Sequence, residues 1–199
     1  MAEKTYEPQQ QRSREKVARI LAAAARLLDT TPYAALGTKQ IAAEAGVSVG
    51  VLYRYFADTE AIVASLVRGW LRLDVESIER ITAAPLPEHS RELFERLITA
   101  YADGFRREPG RRNVWYHAPS IPSLKADNQE ADRIITDAVY NALVRGYSMP
   151  DSAESRRRVE LAVEVVSHLL DLAFRDDPQG DPQILADAAL IADRYLFVP

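Results

Sequence analysis

Residues 38–56 read TKQIAAEAGVSVGVLYRYF, and this stretch decides the fold of the first quarter of the chain. It contains two short segments with helical spacing of their apolar residues, separated by a tight turn. Gly46 stands where a left-handed residue often ends a helix, and Ser48 suits the N-cap of the next helix. Two short helices joined in this way are typical of a helix-turn-helix, whose second helix enters the major groove of DNA.

The spacing of side chains divides the second helix into an inner and an outer face. Leu52 and Phe56 are four residues apart, so we expect both to point into the core. The outer face then carries the side chains that could reach phosphates or base edges, which are Tyr53, Arg54 and Tyr55. A helical hairpin that only packs is the alternative interpretation. For the first helix, Thr38 is the expected N-cap, because its hydroxyl can accept from free N–H groups.

The stretch closely resembles the DNA-binding motif of TetR-type transcriptional regulators, which carry a pattern like T-x-x-I-A-x-x-A-G-V-S-x-G-x-L-Y-x-Y-F. The matching residues here are Thr38, Ile41, Ala42, Ala45, Gly46, Val47, Ser48, Gly50, Leu52, Tyr53, Tyr55 and Phe56. The resemblance implies an all-α fold of about nine helices. Within it we expect a disordered arm over residues 1–11, a three-helix helix-turn-helix DNA-binding domain over 12–57, and a helical effector-binding and dimerisation domain over 58–199.

The expected DNA contacts lie in the motif and at its edges. They are Thr38, Lys39, Ser48, Val49, Gly50, Val51, Tyr53, Arg54, Tyr55 and Thr59. Lys39 follows a helix N-terminus, which favours a phosphate contact, although a solvated lysine is the alternative. Tyr53 could instead pack between helices, and Arg54 could pair with Glu44. Many TetR-like proteins carry a phosphate-binding lysine where this chain has Thr59, so the resemblance predicts weaker backbone contact here.

The charge of the chain is unevenly distributed. Its net charge is −4, which is unusual for a DNA-binding protein. Residues 1–56, however, hold eight Lys and Arg against five acids, so the head of the chain is basic and the remainder is acidic. A basic head can bind phosphate locally while an acidic body discourages non-specific adhesion.

Several classes of function are disfavoured by what the sequence lacks. It has no cysteine, no HExxH pair, no glycine-rich phosphate loop and no G-x-S-x-G motif, so we expect no enzyme, no cofactor and no metal site. It shows neither a signal-peptide apolar region nor an apolar run near the ~18 residues of a membrane span, and we expect a cytoplasmic protein.

The second half of the chain reads as long helices separated by prolines. TetR-like proteins form dimers through a four-helix bundle made by the last two helices of each subunit. By resemblance, the expected homodimer interface contains Val159, Val163, Val166, Leu170, Ile184, Ala188, Ile191 and Tyr195. The alternative is that both helices only fill the core of a monomer.

Aromatic side chains are scattered through the second half of the chain. Regulators of this type enclose a ligand cavity, and the side chains that could line one here are Trp70, Tyr101, Phe105, Trp115, His117, Tyr140 and Phe174. The alternative for each of them is ordinary core packing. His168 is interpreted as a core or interface histidine.

The motif predicts a DNA-binding protein, and the resemblance to TetR-type proteins implies a ligand-responsive transcriptional regulator. The expected form is a repressor that binds a pseudo-palindromic operator as a dimer and is released by a small-molecule effector. A transcriptional activator, or a helical enzyme or binding scaffold that has lost DNA binding, are the alternatives.

Overall fold

The computed structural model describes residues 6–108, 110–116 and 121–197, with residues 6–9 described by their backbone only. This part of the chain contains nine α-helices and no strand, which confirms the predicted all-α class. The helices are α1 Tyr6–Thr30, α2 Thr38–Glu44, α3 Val49–Tyr53, α4 Thr59–Ala83, α5 Ser90–Arg107, α6 Arg111–Trp115, α7 Lys125–Gly146, α8 Ala153–Arg175 and α9 Pro182–Phe197. Short 3-10 turns lie at Tyr33–Ala35 and Pro122–Leu124.

Polar residues start several of these helices, as their side-chain chemistry favours. The Ser48 hydroxyl accepts from the Val51 N–H at 3.2 Å, and the Asp58 carboxylate accepts from the Ala61 N–H at 2.7 Å. The prediction that Thr38 is an N-cap was wrong. Gly37 occupies the cap with an extended backbone, and Thr38 is the first helical residue.

The first helix begins earlier than the sequence analysis placed it. α1 starts at Tyr6, so residues 6–11, assigned to a disordered arm, are helical, while residues 1–5 lie outside the described part of the chain. Glutamine and glutamate favour helix, and Pro8 falls within the first turn, where proline removes no helical hydrogen bond. Arg12, Arg14, Lys16 and Arg19 therefore all lie on this helix.

The described chain divides into two compact units, and the first contains the helix-turn-helix. It is formed by the described residues within Met1–Gly69 and Glu108–Leu124. Its core is formed by side chains from α1, α2, α3 and the first part of α4. Five of its fully buried residues are Ile20, Leu28, Ile41, Leu52 and Ile62.

The short helix α6 belongs to the first unit and closes the end of α1. The Asn113 amide donates to the Leu28 carbonyl at 2.6 Å, and the Gly110 N–H donates to the Asp29 carboxylate at 3.4 Å. Carbonyls in the last turn of a helix lack partners within that helix, so Asn113 provides one from outside. Gly110 has φ +70°, and a Cβ there would lie 2.4 Å from the Leu28 Cβ.

The second unit is a helical body formed by Trp70–Arg107 and the described residues of Lys125–Pro199. α9 packs against both α5 and α8, and α8 also packs against α7. Its apolar core includes Leu93, Leu143, Val159, Leu170 and Ala188. No helix in the described ranges is both long and apolar enough to cross a membrane.

Candidate DNA-binding interface

The turn between α2 and α3 has the geometry that the sequence predicts. Gly46 adopts a left-handed φ of +63°, and the next N–H, that of Val47, donates to the Ala42 carbonyl at 3.0 Å. Beneath the turn, Ile41 and Leu52 are fully buried. The backbone bonds and this shared core fix the angle between the two helices, so α3 is presented as a rigid element.

The first turn of α3 offers a slim surface. Ser48 and Gly50 are exposed, while Val49 and Val51 are half-buried. A Cβ at Gly50 would meet no atom within 4 Å, so the space in front of this residue is open. Small side chains allow the helix backbone to come close to base edges, but they carry few hydrogen-bonding groups that could distinguish bases.

Tyr53 is the large exposed side chain of this surface. Its relative exposure is 52%, although the residue next to it, Leu52, is fully buried. The Tyr53 hydroxyl and the Thr38 Oγ1 share a hydrogen bond of 3.1 Å. The first residue of α2 therefore holds the tyrosine at the end of α3, and their two hydroxyls form one polar pair on the surface.

Tyr55 is held by a different helix. It is half-buried, and its hydroxyl accepts a hydrogen bond from the Ser13 Oγ in α1 at 3.2 Å. The hydroxyl retains its own proton, which it can donate to an anion. Sequence analysis did not single out Ser13, because a contact between residues 42 positions apart leaves no local signal.

The two predicted cationic contacts are both exposed. Lys39 lies in the first turn of α2, where the positive end of the helix favours anions, and Arg54 is the C-cap of α3. The pairing of Arg54 with Glu44 that sequence analysis left open is not the one observed. Arg26 of α1 instead donates to the Glu44 carboxylate at 2.8 Å.

The start of α4 is less favourable for phosphate. Thr59 is half-buried and is the first residue of the helix, between the exposed acids Asp58 and Glu60. Burial, together with the carboxylates of Glu60 and Asp58, raises the pKa of Tyr33. The local charge is therefore negative where a phosphate would approach Thr59.

Comparison with known proteins agrees with this geometry. The profile described as "Bacterial regulatory proteins, tetR family" matches residues 20–66. The profile described as "Tetracyclin repressor-like, C-terminal domain" matches residues 88–199. The chain belongs to the TetR family. This membership makes it a DNA-binding transcriptional regulator rather than an enzyme.

Individual proteins show the same likeness. An uncharacterized HTH-type transcriptional regulator from Mycobacterium tuberculosis is 31% identical over 164 residues, which cover 80% of this chain and 76% of the relative. The crystal structure of a TetR-family regulator from Streptomyces coelicolor has a TM-score of 0.71 at 27% identity, covering 92% of this chain and 97% of the other. The regulator PfmR from Thermus thermophilus shares the fold, with a TM-score of 0.67 at 22% identity, covering 89% and 97% of the two chains.

Only some of the side chains expected to line an effector pocket lie close to one another. Phe105 stacks on Phe174 at 4.8 Å between ring centroids, and Tyr101 lies 5.1 Å from Phe105. Trp70 is buried in the same unit, whereas Trp115 belongs to the first unit. His117 lies outside the described residues.

Tyr140, also expected at the pocket, is committed to a hydrogen bond. It is buried, and its hydroxyl donates to the Asp151 carboxylate at 2.6 Å. That hydrogen bond raises the pKa of Tyr140, and burial raises it further. The guanidinium of Arg156 lies over the Tyr140 ring, 5.4 Å from its centroid. Through these contacts Tyr140 links α7 to the residues at the start of α8.

The residues expected at the dimer interface fall on two sides of α8 and α9. Val159, Leu170 and Ala188 are buried within this chain. The half-buried members are Val163, Val166 and Ile184, and the exposed ones are Ile191 and Tyr195.

The structure also exposes apolar residues on these helices that the sequence analysis passed over. Leu161, Val165 and Leu172 of α8 are 44%, 48% and 39% exposed. His168, expected in a core or an interface, is exposed between them. The spacing of these four residues follows one side of a helix, and this was the signal that could have identified them.

Proposed function

We propose that this TetR-family regulator is a repressor that binds a pseudo-palindromic operator as a homodimer and leaves it when a small molecule binds the helical body. The observation that carries the DNA-binding part is the exposed surface of α3. Tyr53 stands out from it over a fully buried Leu52, held by Thr38. We infer that α3 reads bases through Ser48–Val51 and Arg54, and that Thr38, Lys39, Tyr53, Tyr55 and Thr59 hold phosphates.

The exposed apolar side of α8 and α9 supports a homodimer. We name it the outer stripe, and its members are Leu161, Val165, His168 and Leu172 of α8 with Leu190, Ile191 and Tyr195 of α9. An apolar patch of this kind on a regulator is best covered by the same patch of a second copy, which gives a two-fold interface. Two copies would place two α3 helices one DNA turn apart, ~34–36 Å.

Release by a small molecule is the part that rests on family expectation. The second unit contains the aromatic cluster of Tyr101, Phe105 and Phe174. An effector that binds the unit in only one of two conformations would shift the population toward that conformation, and the two heads would then no longer fit the operator.

Enrichment of DNA from a random library tests the proposal directly. We expect the protein to enrich a two-fold symmetric motif, and Lys39→Ala and Tyr53→Ala to weaken gel-shift binding to that motif. Thermal denaturation of each variant serves as the control for folding. Failure of the wild-type protein to enrich any motif would overturn DNA-operator binding. A reporter placed behind the motif then separates repression from activation.

A further inference from the structure

The N-terminal end of α1 carries a concentration of cations. Arg12, Arg14, Lys16 and Arg19 fall within eight residues, and the acid among them is Glu15. Arg12, Lys16 and Arg19 are spaced by four and three residues, so they project from one side of the helix, and Arg14 projects from another. Arg12 and Arg14 lie on either side of Ser13, each about 100° around the helix from it. All of these positions are helical because α1 begins at Tyr6.

A hydrogen bond connects this end of α1 to the end of α3. Ser13 donates to the Tyr55 hydroxyl at 3.2 Å, and Arg12 and Arg14 flank Ser13 in the chain. Neighbouring Cα atoms are about 3.8 Å apart. Arg12 and Arg14 therefore each lie one residue away from Ser13, which contacts Tyr55 of the proposed DNA surface.

The arginines at this end of α1 have no acidic partners in the part of the chain that the structure describes, whereas an arginine further along the same helix has one. Arg12, Arg14 and Arg19 are exposed, and none of them forms an ion pair with another described residue. Arg26, two turns beyond Arg19, is by contrast paired with Glu44 at 2.8 Å. Cations on a fixed helix, without acidic partners, gain most from phosphate, because binding there releases condensed counterions from DNA.

We propose that the N-terminal end of α1 is a second phosphate-binding element, in which Arg12 and Arg14 hold the DNA backbone beside the bases read by α3. The proposal rests on the proposed function and adds a contact to the same complex. It commits to the DNA backbone as the partner, since Ser13, which stands between the two arginines, is hydrogen-bonded to Tyr55 of the proposed DNA surface. It also compensates for the acidic start of α4, where Thr59 provides no charge.

The test is the salt dependence of DNA affinity in the double variant Arg12→Gln/Arg14→Gln. The probe is the duplex that the wild-type protein enriches, titrated by fluorescence anisotropy between about 50 and 300 mM salt. The dimer would lose four phosphate contacts, two in each subunit, so the slope of log K against log salt should fall by about 3.6. If the two lines converge at about 1 M salt, affinity at about 0.15 M falls on the order of 1,000-fold. A scrambled duplex should lose a similar factor, because phosphate contacts do not read sequence.

A matched control removes the same charge elsewhere. Arg72→Gln/Arg107→Gln neutralises two exposed arginines of the second unit and should leave the slope unchanged. An unaltered slope and affinity in the Arg12/Arg14 variant, or an equal loss in the control, would overturn the inference and leave operator binding by the wild-type protein intact. If the wild-type protein binds neither duplex, it is the proposed function that fails.

Discussion

The side chain of Tyr53 is already restrained in the free protein, before any contact with DNA. The side chain is half exposed, yet its hydroxyl already has a partner in Thr38 at 3.1 Å. A free tyrosine would lose rotamer freedom when it contacted a phosphate. The hydrogen bond lowers this cost by restricting the side chain in the free protein.

At this position we predict that Tyr53→Phe weakens operator binding by about 2 kcal/mol, roughly 30-fold, since it removes one hydroxyl from each subunit of the bound dimer. Fluorescence anisotropy measures the affinity. Tyr147→Phe is the matched control, because it removes a tyrosine hydroxyl from the second unit, and we expect it to leave the affinity unchanged. Wild-type affinity in Tyr53→Phe would contradict the assignment of this hydroxyl to DNA.

At Thr59 we predict a substitution that strengthens DNA binding, whereas Tyr53→Phe weakens it. Thr59→Lys should strengthen operator binding and steepen the salt slope by about 1.8, the contribution of one added phosphate contact in each subunit of the dimer. Thr59→Gln, a long side chain without charge, is the control and should leave the slope unchanged. Equal salt slopes for the wild-type protein and Thr59→Lys would show that the start of α4 does not face phosphate.

Single residues also show which local features sequence could predict. Gly46 and Ser48 were predicted correctly, because a left-handed turn and an N-cap depend on a few neighbouring residues. Thr38 was placed one position too early in its helix, since Gly37 can take the extended cap conformation without a side-chain bond. The Arg26–Glu44 ion pair joins different helices, and only the packing of α1 on α2 determines it.

On the scale of elements, α8 and α9 each carry apolar residues on more than one side. One side of α8 is core, with Val159 and Leu170 buried, and another side exposes Leu161, Val165 and Leu172. Helical periodicity predicted long helices in this part of the chain, and α8 and α9 are two of them. It could not decide which side faces inward, because a helix with two apolar sides satisfies either packing equally well.

For the outer stripe we predict that Val165→Glu converts the dimer to a monomer. A two-fold axis would bury the new carboxylate twice without a partner, which should raise the dimer Kd by at least about 100-fold. Sedimentation velocity at micromolar concentration measures the change. Thr99→Glu places the same side chain on an exposed position of α5 and should leave the dimer intact. A dimeric Val165→Glu protein would exclude the stripe as the interface.

On the scale of the molecule, the unit that contains the helix-turn-helix is built from two separate stretches of chain. α1 to the first part of α4 provide most of it, and the stretch with α6 returns to it after the chain has passed through α5 of the second unit. α6 was expected in the effector-binding domain, since nothing in its sequence, RRNVW, indicates a partner in the first unit. Asn113 and the Leu28 carbonyl are 85 positions apart, a separation that local patterns do not encode.

The close approach at Gly110 gives a prediction about stability. Gly110→Ala would strain a left-handed backbone and place a methyl group against Leu28 and Ala25, so we expect a loss of at least about 2 kcal/mol, or roughly 4–8 °C in Tm. Differential scanning calorimetry measures it. Gly69→Ala, where a Cβ meets no atom within 4 Å, is the control and should not lower the Tm. An unchanged Tm in Gly110→Ala would show that α6 does not constrain the end of α1.

The hydrogen bond from Asn113 to the end of α1 has a consequence for how such proteins can exchange parts during evolution or engineering. In a chimera made with a single crossover before α4, α1 would come from one protein and α6 from another. The transplanted helix would then keep its own sequence but lose the amide that closes its last turn. A hybrid regulator should therefore inherit its DNA specificity intact only when two crossovers carry Glu108–Leu124 together with the helix-turn-helix.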